Sequence, residues 1–261
     1  MSEESVRVRR HGSTLEIVLD RPKANAIDAA TSRKLGEIFA DFRDDPRLRV
    51  AIFTGAGERF FCAGWDLAAA AEGESYESDY GVGGFGGFPE LPGLNKPVIA
   101  AVNGLAVGGG FELVISSHLV IAADHAKFFL PEAAVGVIPD IGSVKLPKLL
   151  PEPIANEVLI AGRKLSALEA LQYGLVNQVV PLPDLLKAAH ALADRIANMA
   201  PLAVAAILDI GRKTESLPTE TALTLLRSGA IDSYQQMLNS EDAQEGPQAF
   251  TEKRPPVWKG R

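Results

Sequence analysis

The chain has 261 residues, of which 47% are hydrophobic and 23% are charged, with one cysteine and a formal net charge of −7. This length is enough for a substantial core, either in one compact domain with an appendage or in two domains. The negative charge argues against general nucleic-acid binding, the lone Cys62 excludes an intrachain disulfide framework, and no stretch is long and apolar enough to span a bilayer.

The N-terminal part of the chain alternates strand and helix patterns. Residues 1–5 are polar and lead into arginines without an apolar segment, so we expect no signal peptide and a cytoplasmic location. Residues 15–19 alternate as a strand does, and Asp28 is placed to cap a helix whose apolar residues recur with helical spacing. Residues 50–54 have the pattern of a further strand, and a glycine-bearing motif at 60–67 follows it.

A segment without periodicity follows at residues 73–93. It is rich in glycine and carries four aromatic residues, Tyr76, Tyr80, Phe85 and Phe88. So long an irregular segment inside a compact domain is a binding loop, a lid or a disordered stretch. Its rings either fasten the loop to the surface or contact a ligand, and the sequence leaves both open.

Three glycines, Gly108, Gly109 and Gly110, connect the strand-like residues 98–102 to a helical pattern at 109–117. Consecutive glycines permit a tight turn and a close approach to a ligand. Glu112 would then lie in the first helical turn, where an exposed amide such as that of Gly109 carries partial positive charge and could meet a developing oxyanion. The alternative is a packing turn, with Glu112 favourable through the helix dipole alone.

A second glutamate, Glu132, follows the strand candidates 118–123 and 127–130 and is preceded by Pro131. Two carboxyl groups near exposed backbone amides suit an enzyme that polarises a carbonyl while the carboxyls move protons. No metal site is expected, because the four histidines show no ligand spacing. Without a histidine in a recognisable partner motif, Cys62 is expected to be a buried filler rather than a nucleophile.

The C-terminal part is predicted to be mainly helical. Ser166 and Glu169 form a capping box before a short helix that ends near Gly174, and residues 175–180 have the pattern of a last strand. Helical patterns then cover 185–199, 202–212 and 219–238. Their apolar side chains exceed what one isolated helix can shelter, so they are expected to pack on the core or on another subunit.

The motifs at 61–67, 108–112, 131–132 and 136–139 resemble, in composition and spacing, the crotonase or enoyl-CoA hydratase/isomerase superfamily, and the resemblance covers almost the whole chain. It implies an α/β fold in which ββα units form a spiral. We place this core and the catalytic site at 1–197, with a helical oligomerisation region at 198–261. The resemblance also implies an acyl-CoA substrate, coenzyme A only as part of that substrate, and trimers or dimers of trimers.

The resemblance further implies the site residues. Glu112 and Glu132 match the two glutamates that move protons in the hydratases, and the amides of Ala63 and Gly109 match the oxyanion hole. Which glutamate is the acid is left open. Such a pair favours hydration or dehydration, because isomerases of the superfamily commonly retain one carboxylate. The expected contacts with coenzyme A and substrate are Lys23, Ala24, Ala26, Ala63, Gly64, Trp65, Asp66, Leu67, Gly108 and Pro131.

One segment departs from the family pattern. Residues 139–146 are one residue shorter than usual and have Ser143 in place of the second of two glycines. The turn and helix start behind the site are therefore expected to sit differently. By position, the amide of Asp140 would help to hold the reacting water.

Further similarity at 19–28, 63–67, 240–247 and 257–261 points to dehydratases whose acyl group carries a quaternary ammonium. Aromatic rings suit such a cation. A general short-chain enoyl-CoA hydratase, and an idle relative that serves as a binding or assembly subunit, remain as alternatives. The candidate rings for the cation are Trp65, Tyr80, Phe85, Phe88 and Trp258.

Overall fold

The structure, a computed structural model, describes residues 5–261. Its strands are β1 Val6–His11, β2 Thr14–Leu19, β3 Val50–Gly55, β4 Phe60–Cys62, β5 Val98–Val102, β6 Leu105–Val107, β7 Leu119–Ala123, β8 Lys127–Phe129, β9 Leu165–Ser166 and β10 Gln178–Val180. Its helices are α1 Ala29–Asp44, α2 Leu67–Ala71, α3 Gly109–Ser116, α4 Asp140–Leu149, α5 Glu152–Ala161, α6 Ala167–Gln172, α7 Leu185–Ala197, α8 Pro201–Thr214, α9 Thr219–Arg227, α10 Asp232–Leu238 and α11 Glu241–Glu252.

From β3 to β8, successive strands alternate between two sheets. The larger sheet has the order β1-β2-β3-β5-β7-β10, and the smaller has the order β4-β6-β8-β9. Apart from the β1–β2 hairpin, the strands of the larger sheet are parallel, so the chain returns in the same direction after each visit to the smaller sheet. This alternation confirms the predicted ββα spiral.

The central strand of the larger sheet, β3, is buried on both faces. Alternate residues of a strand point to opposite faces, so its side chains divide between two apolar clusters. Phe53 lies in the main core with Phe39 and Phe61. Val50 and Ile52 lie in the second cluster, which α7 covers with Ala189 and Ala193.

Local signals predicted several helix boundaries correctly. The Asp28 side chain accepts a hydrogen bond from the Thr31 amide at the start of α1. The capping box of Ser166 and Glu169 is present at α6. The glycine triplet does lead into a helix, which ends one residue before the predicted Ser117.

Two element predictions were wrong. The helix expected over 219–238 is divided into α9 and α10, because Gly229 adopts a φ of +83° between them. The last strand covers only Gln178–Val180. The amides of Leu175 and Val176 instead bind the Ala170 carbonyl at the end of α6, at 2.9 and 3.2 Å.

A buried glutamate joins the first hairpin to α7. His190 Nε2 lies 2.8 Å from Glu16 Oε2, and His11 Nε2 lies 3.8 Å from the same oxygen. Sequence spacing gave no sign of this cluster, whose ligand atoms all lie within 4.8 Å of one another. His190 is the hydrogen-bond partner of the buried Glu16 carboxylate.

Asp209 of α8, which is 5% exposed, joins α8 to α10. Ser233 of α10 donates to its Oδ2 at 2.6 Å, and Arg212 and Lys213 pair with it at 3.1 and 3.0 Å. The division of the chain after residue 197 stays a prediction. Within residues 5–261, only α7 with its preceding turn and α8 together reach the length and hydropathy of a membrane span, and they are bent by 102°; no single helix does so.

Candidate active site

The first turn of α3 holds Glu112 in a buried position. The Gly108 amide donates to the Phe129 carbonyl at 2.9 Å, which fixes the turn to the end of β8. The amides of Phe111 and Glu112 then bind the Gly108 carbonyl and begin the helix. Glu112 is 7% exposed.

Each glycine of the triplet is required by a different neighbour. Gly108 has a φ of +56°, and a Cβ on it would lie 2.6 Å from Glu132 Oε1. A Cβ on Gly109 would overlap the Phe85 ring, and one on Gly110 would overlap the Cys62 carbonyl. The triplet therefore allows a carboxyl group, an aromatic ring and a second backbone segment to meet at the start of α3.

Glu132 begins a single helical turn, Glu132–Val135, directly after β8 and Pro131. Its side chain faces the same cavity as Glu112. The Oε2 atom of Glu132 is buried and has no hydrogen-bond partner among residues 5–261. The structure thus brings the two predicted glutamates together.

Helix α4 contacts Glu112 through its first turn. It begins at Asp140 after Pro139, and the Gly142 amide donates to Glu112 Oε1 at 2.8 Å. The segment 139–146, which is shorter than in the family pattern, thus contains the start of α4. The Gly142 amide in this first helical turn binds Glu112. Gly142 was not among the predicted site residues. Gly142 stands in the place of the first of the two glycines in the family pattern, and this position was the signal that could have identified it.

The environment raises the pKa of both glutamates. Burial raises the pKa of Glu112 to about 7, with the charges of Glu132 and Asp140 adding to the effect and the Gly142 hydrogen bond opposing it. Burial also raises the pKa of Glu132, and the charge of Asp140 contributes. A carboxyl group with a pKa near neutrality can both hold and release a proton at the pH of a cell.

The two predicted oxyanion amides lie close together but differ in their bonding. Gly64 has a φ of +82°, and a Cβ on it would lie 2.9 Å from the Gly109 nitrogen, so the 63–64 segment packs directly on the start of α3. The Gly109 amide has no acceptor within the described part of the chain. The Ala63 amide donates to the Ala24 carbonyl at 3.1 Å.

Both glutamates and the two oxyanion residues, Ala63 and Gly109, line one cavity of about 140 Å³. A larger cleft of about 1000 Å³ lies elsewhere, between Phe88–Asn95, α4 and α8, and neither glutamate lines it. The complete lining of the smaller cavity, which contains both glutamates, is Ala63, Trp65, Leu67, Tyr76, Tyr80, Phe85, Gly108, Gly109, Glu112, Pro131, Glu132, Val135, Val137 and Asp140.

The expected coenzyme A contacts lie on two adjacent segments. The Ile27 amide donates to the Gly64 carbonyl at 2.8 Å, which sets 23–27 beside 63–67. Arg21 pairs with Asp66 at 3.0 Å, and the Asp66 carboxylate also caps α2, so this side chain has a structural role. Lys23 is exposed, and Ala24 and Ala26 are half-buried.

Hydrogen bonds tie the irregular 73–93 loop to the cavity and to α1. Tyr76 donates to the Ile138 carbonyl at 2.6 Å, and Tyr80 donates to the Tyr76 carbonyl at 3.0 Å. The Gly86 amide donates to Ser32 Oγ at 3.0 Å. Rings of this loop therefore form part of the cavity wall.

The structure places only some of the candidate rings at the cavity. Trp65, Tyr80 and Phe85 line the cavity. Phe88 is 3% exposed and packs in the core, 4.7 Å from the Phe39 ring between centroids. The Trp258 indole donates to the Asn198 carbonyl near the C-terminus. The ring that sequence reasoning missed is Tyr76.

The chain matches the enoyl-CoA hydratase/isomerase family over residues 9–261. It is 59% identical over 259 residues to a carnitinyl-CoA dehydratase of Proteus mirabilis and 57% identical over 259 residues to that of Escherichia coli K12, with 99% of each chain covered. Among solved structures, an enoyl-CoA hydratase from Mycobacterium marinum has a TM-score of 0.90 and 39% identity, covering 99% of this chain and 100% of the other. One from Mycobacterium tuberculosis H37Rv has a TM-score of 0.90, 38% identity and the same coverage.

Proposed function

This chain belongs to the enoyl-CoA hydratase/isomerase family, and we propose that it is a hydro-lyase that reversibly dehydrates carnitinyl-CoA to crotonobetainyl-CoA. The observation that carries the reaction type is one cavity lined by Glu112, Glu132 and the Gly109 backbone. Full-length identity of 57% and 59% to relatives named carnitinyl-CoA dehydratase supports this acyl group. Coenzyme A enters as part of the substrate, and the chemistry needs no other cofactor.

The backbone amides stabilise the charge that develops on the thioester oxygen. As water adds to the α,β-unsaturated thioester, an enolate forms and its oxygen becomes negative. The Gly109 amide donates to this oxygen directly. The Ala63 amide serves it as a three-centre donor that is shared with the Ala24 carbonyl. A single such donor contributes roughly 2.7–4 kcal/mol in acyl-transfer enzymes.

The glutamates carry the protons. In hydration, one carboxylate takes a proton from water as the water oxygen bonds to C3, and the other, protonated, carboxyl gives its proton to C2. In dehydration, the base removes the proton from C2 and the acid protonates the hydroxyl that leaves C3 as water. The pair therefore works with one shared proton, which suits a pKa of about 7 for Glu112. The Asp140 amide holds the reacting water.

Two alternatives have some support. The names of the similar solved structures favour a general short-chain enoyl-CoA hydratase. A catalytically idle binding subunit has the family membership in its favour, but two carboxyl groups with raised pKa values in one cavity are costly to keep unless they are used.

We also propose a cytoplasmic homo-oligomer, a trimer or a dimer of trimers, that assembles through residues 198–261. Large apolar side chains are exposed there, including Ile207 at 67%, Leu223 at 42% and Phe250 at 86%. Large apolar side chains left exposed in one region are candidates for burial against another subunit. Light scattering on the eluting protein measures the mass that tests this assembly.

A rate comparison tests the function. Loss of enoyl-thioester absorbance is followed with crotonobetainyl-CoA and, side by side, with crotonyl-CoA. A higher kcat/KM with crotonobetainyl-CoA is the expected result. A preference for crotonyl-CoA would establish the general hydratase, and loss of neither substrate would establish the idle subunit.

A further inference from the structure

The charges that line the cavity all have one sign. Glu112, Glu132 and Asp140 contribute carboxyl groups, and the lining residues include no lysine, arginine or histidine. The buried Glu132 Oε2 has no partner among the described residues. Carboxyl groups in such a cavity attract a cation, because the low-dielectric walls strengthen the interaction.

Four aromatic rings line the same space. Trp65 and Tyr76 meet edge to face, with centroids 5.4 Å apart at 81°, and Tyr80 and Phe85 do so at 5.4 Å and 83°. An aromatic face is negative and an edge is positive, so a cation is attracted to the ring faces.

The polar ends of these rings are already bound. The Trp65 indole donates to Glu74 Oε1 at 2.9 Å, Tyr76 donates to Ile138, and Tyr80 donates to Tyr76. Because the N–H and O–H groups are engaged, the rings present apolar, π-rich surface to a ligand. Such a surface suits a cation that has no N–H to donate.

Resting on the proposed dehydratase function, we propose that Trp65, Tyr76, Tyr80 and Phe85, together with the Asp140 carboxylate, form a subsite for the quaternary ammonium of the acyl group. Asp140 is exposed at the first residue of α4 and lines the cavity. Its side chain is thus a specificity determinant, whereas its backbone amide belongs to the reaction.

The cavity volume agrees with this occupant. About 140 Å³ is close to the roughly 150 Å³ of an engineered cavity that holds benzene in another protein. The volume suits a short acyl group with a compact head, and not a long chain. Glu112 and Glu132 are occupied with proton transfer, which leaves Asp140 as the counter-charge for the ammonium.

A neutral isostere separates charge from shape. Crotonobetainyl-CoA is compared with the analogue in which a tert-butyl group replaces the trimethylammonium. Both substrates use the same glutamates and amides, so the ratio of their kcat/KM values reports the head group alone. We expect the unmodified enzyme to favour the charged substrate by about tenfold or more, which is within reach of a few cation–π contacts and one carboxylate.

Variants with matched controls locate the subsite. Asp140→Asn and Tyr80→Leu should each lower the ratio by about threefold or more. Glu77→Gln removes a nearby acid that does not line the cavity, and Phe88→Leu alters a ring of the same loop that lies in the core. Both controls should leave the ratio unchanged.

The outcomes are distinct for the function and for the subsite. Equal rates on the charged substrate and the isostere, with a ratio that no variant changes, overturn the subsite and leave the dehydratase function standing. A preference for crotonyl-CoA over both substrates overturns the proposed function itself. A ratio that falls in the controls as much as in Asp140→Asn also overturns the subsite.

Discussion

The Gly142 amide and the Glu112 carboxyl, joined by a 2.8 Å hydrogen bond, connect the first turns of two helices. Both helix N-termini place partial positive charge near the same carboxyl group, which favours its ionised form. Burial favours its neutral form more strongly, so the pKa of Glu112 rises to about 7. The position of α4 therefore sets how readily Glu112 exchanges a proton.

Removing either carboxyl group should nearly abolish turnover. Glu112→Gln and Glu132→Gln keep the side-chain shape but cannot transfer a proton, so we expect each to lower kcat by at least about 10²-fold with folding intact. The enoyl-thioester absorbance assay measures this. Glu72→Gln, at an exposed glutamate outside the cavity, is the control. A near-normal rate in either site variant would contradict the assignment.

The Glu112→Gln variant should be more stable than the unmodified protein, and increasingly so as the pH rises. The folded-state pKa of about 7 exceeds the ordinary value of 4.5. Between these values the folded state binds more protons than the unfolded state, so stability falls as pH rises. At about 1.4 kcal/mol per pKa unit, the gain from Glu112→Gln should grow by roughly 2–3 kcal/mol from pH 5 to pH 8. Urea unfolding at both pH values measures it, and a gain independent of pH would refute the charge-burial explanation.

Gly108→Ala should impair both stability and activity. Alanine at a φ of +56° and ψ of −130° is strained by about 1–3 kcal/mol, and its Cβ would displace the Glu132 carboxyl group. Gly162→Ala is the control, because Gly162 also has a positive φ but its nearest neighbour is 4.0 Å away. We expect the control to lose stability alone. Full activity in folded Gly108→Ala would show that Glu132 tolerates displacement.

Cys62 should be unreactive in the folded protein. It is fully buried, and burial raises the pKa of its thiol to about 12, so almost no thiolate is present at pH 8. We expect no labelling by iodoacetamide until the chain is unfolded in urea, as mass spectrometry would detect. Stoichiometric labelling under native conditions would place the thiol at an accessible surface.

Local signals in the sequence were sufficient for features that depend on nearby residues. The Asp28 cap, the Ser166 capping box and the helix after the glycine triplet each depend on contacts within a few residues. The buried strand β3 was visible as an apolar run. These signals gave the individual elements and the two glutamate motifs, whereas the ββα architecture was predicted from the family resemblance.

Contacts between distant segments could not be predicted in this way. The hydrogen bond from Gly142 to Glu112 joins residues 30 apart, and that between His190 and Glu16 joins residues 174 apart. Phe85 and Phe88 are three residues apart in one loop, yet only Phe85 lines the cavity. Nothing in the composition of an irregular loop indicates which ring turns inward, because its backbone has no period.

The packing of the glycine triplet has a consequence for how the protein tolerates change. A Cβ at Gly109 meets the Phe85 side chain, and a second substitution can shorten that side chain. A Cβ at Gly110 meets the Cys62 backbone carbonyl, which no substitution can remove. In a library of random variants selected for activity, second-site suppressors of Gly109→Ala should therefore arise at Phe85, and Gly110→Ala should have none. Two neighbouring positions of one motif would thus differ in the substitutions that evolution can accept. Gly109 can change when Phe85 changes as well, whereas Gly110 cannot change.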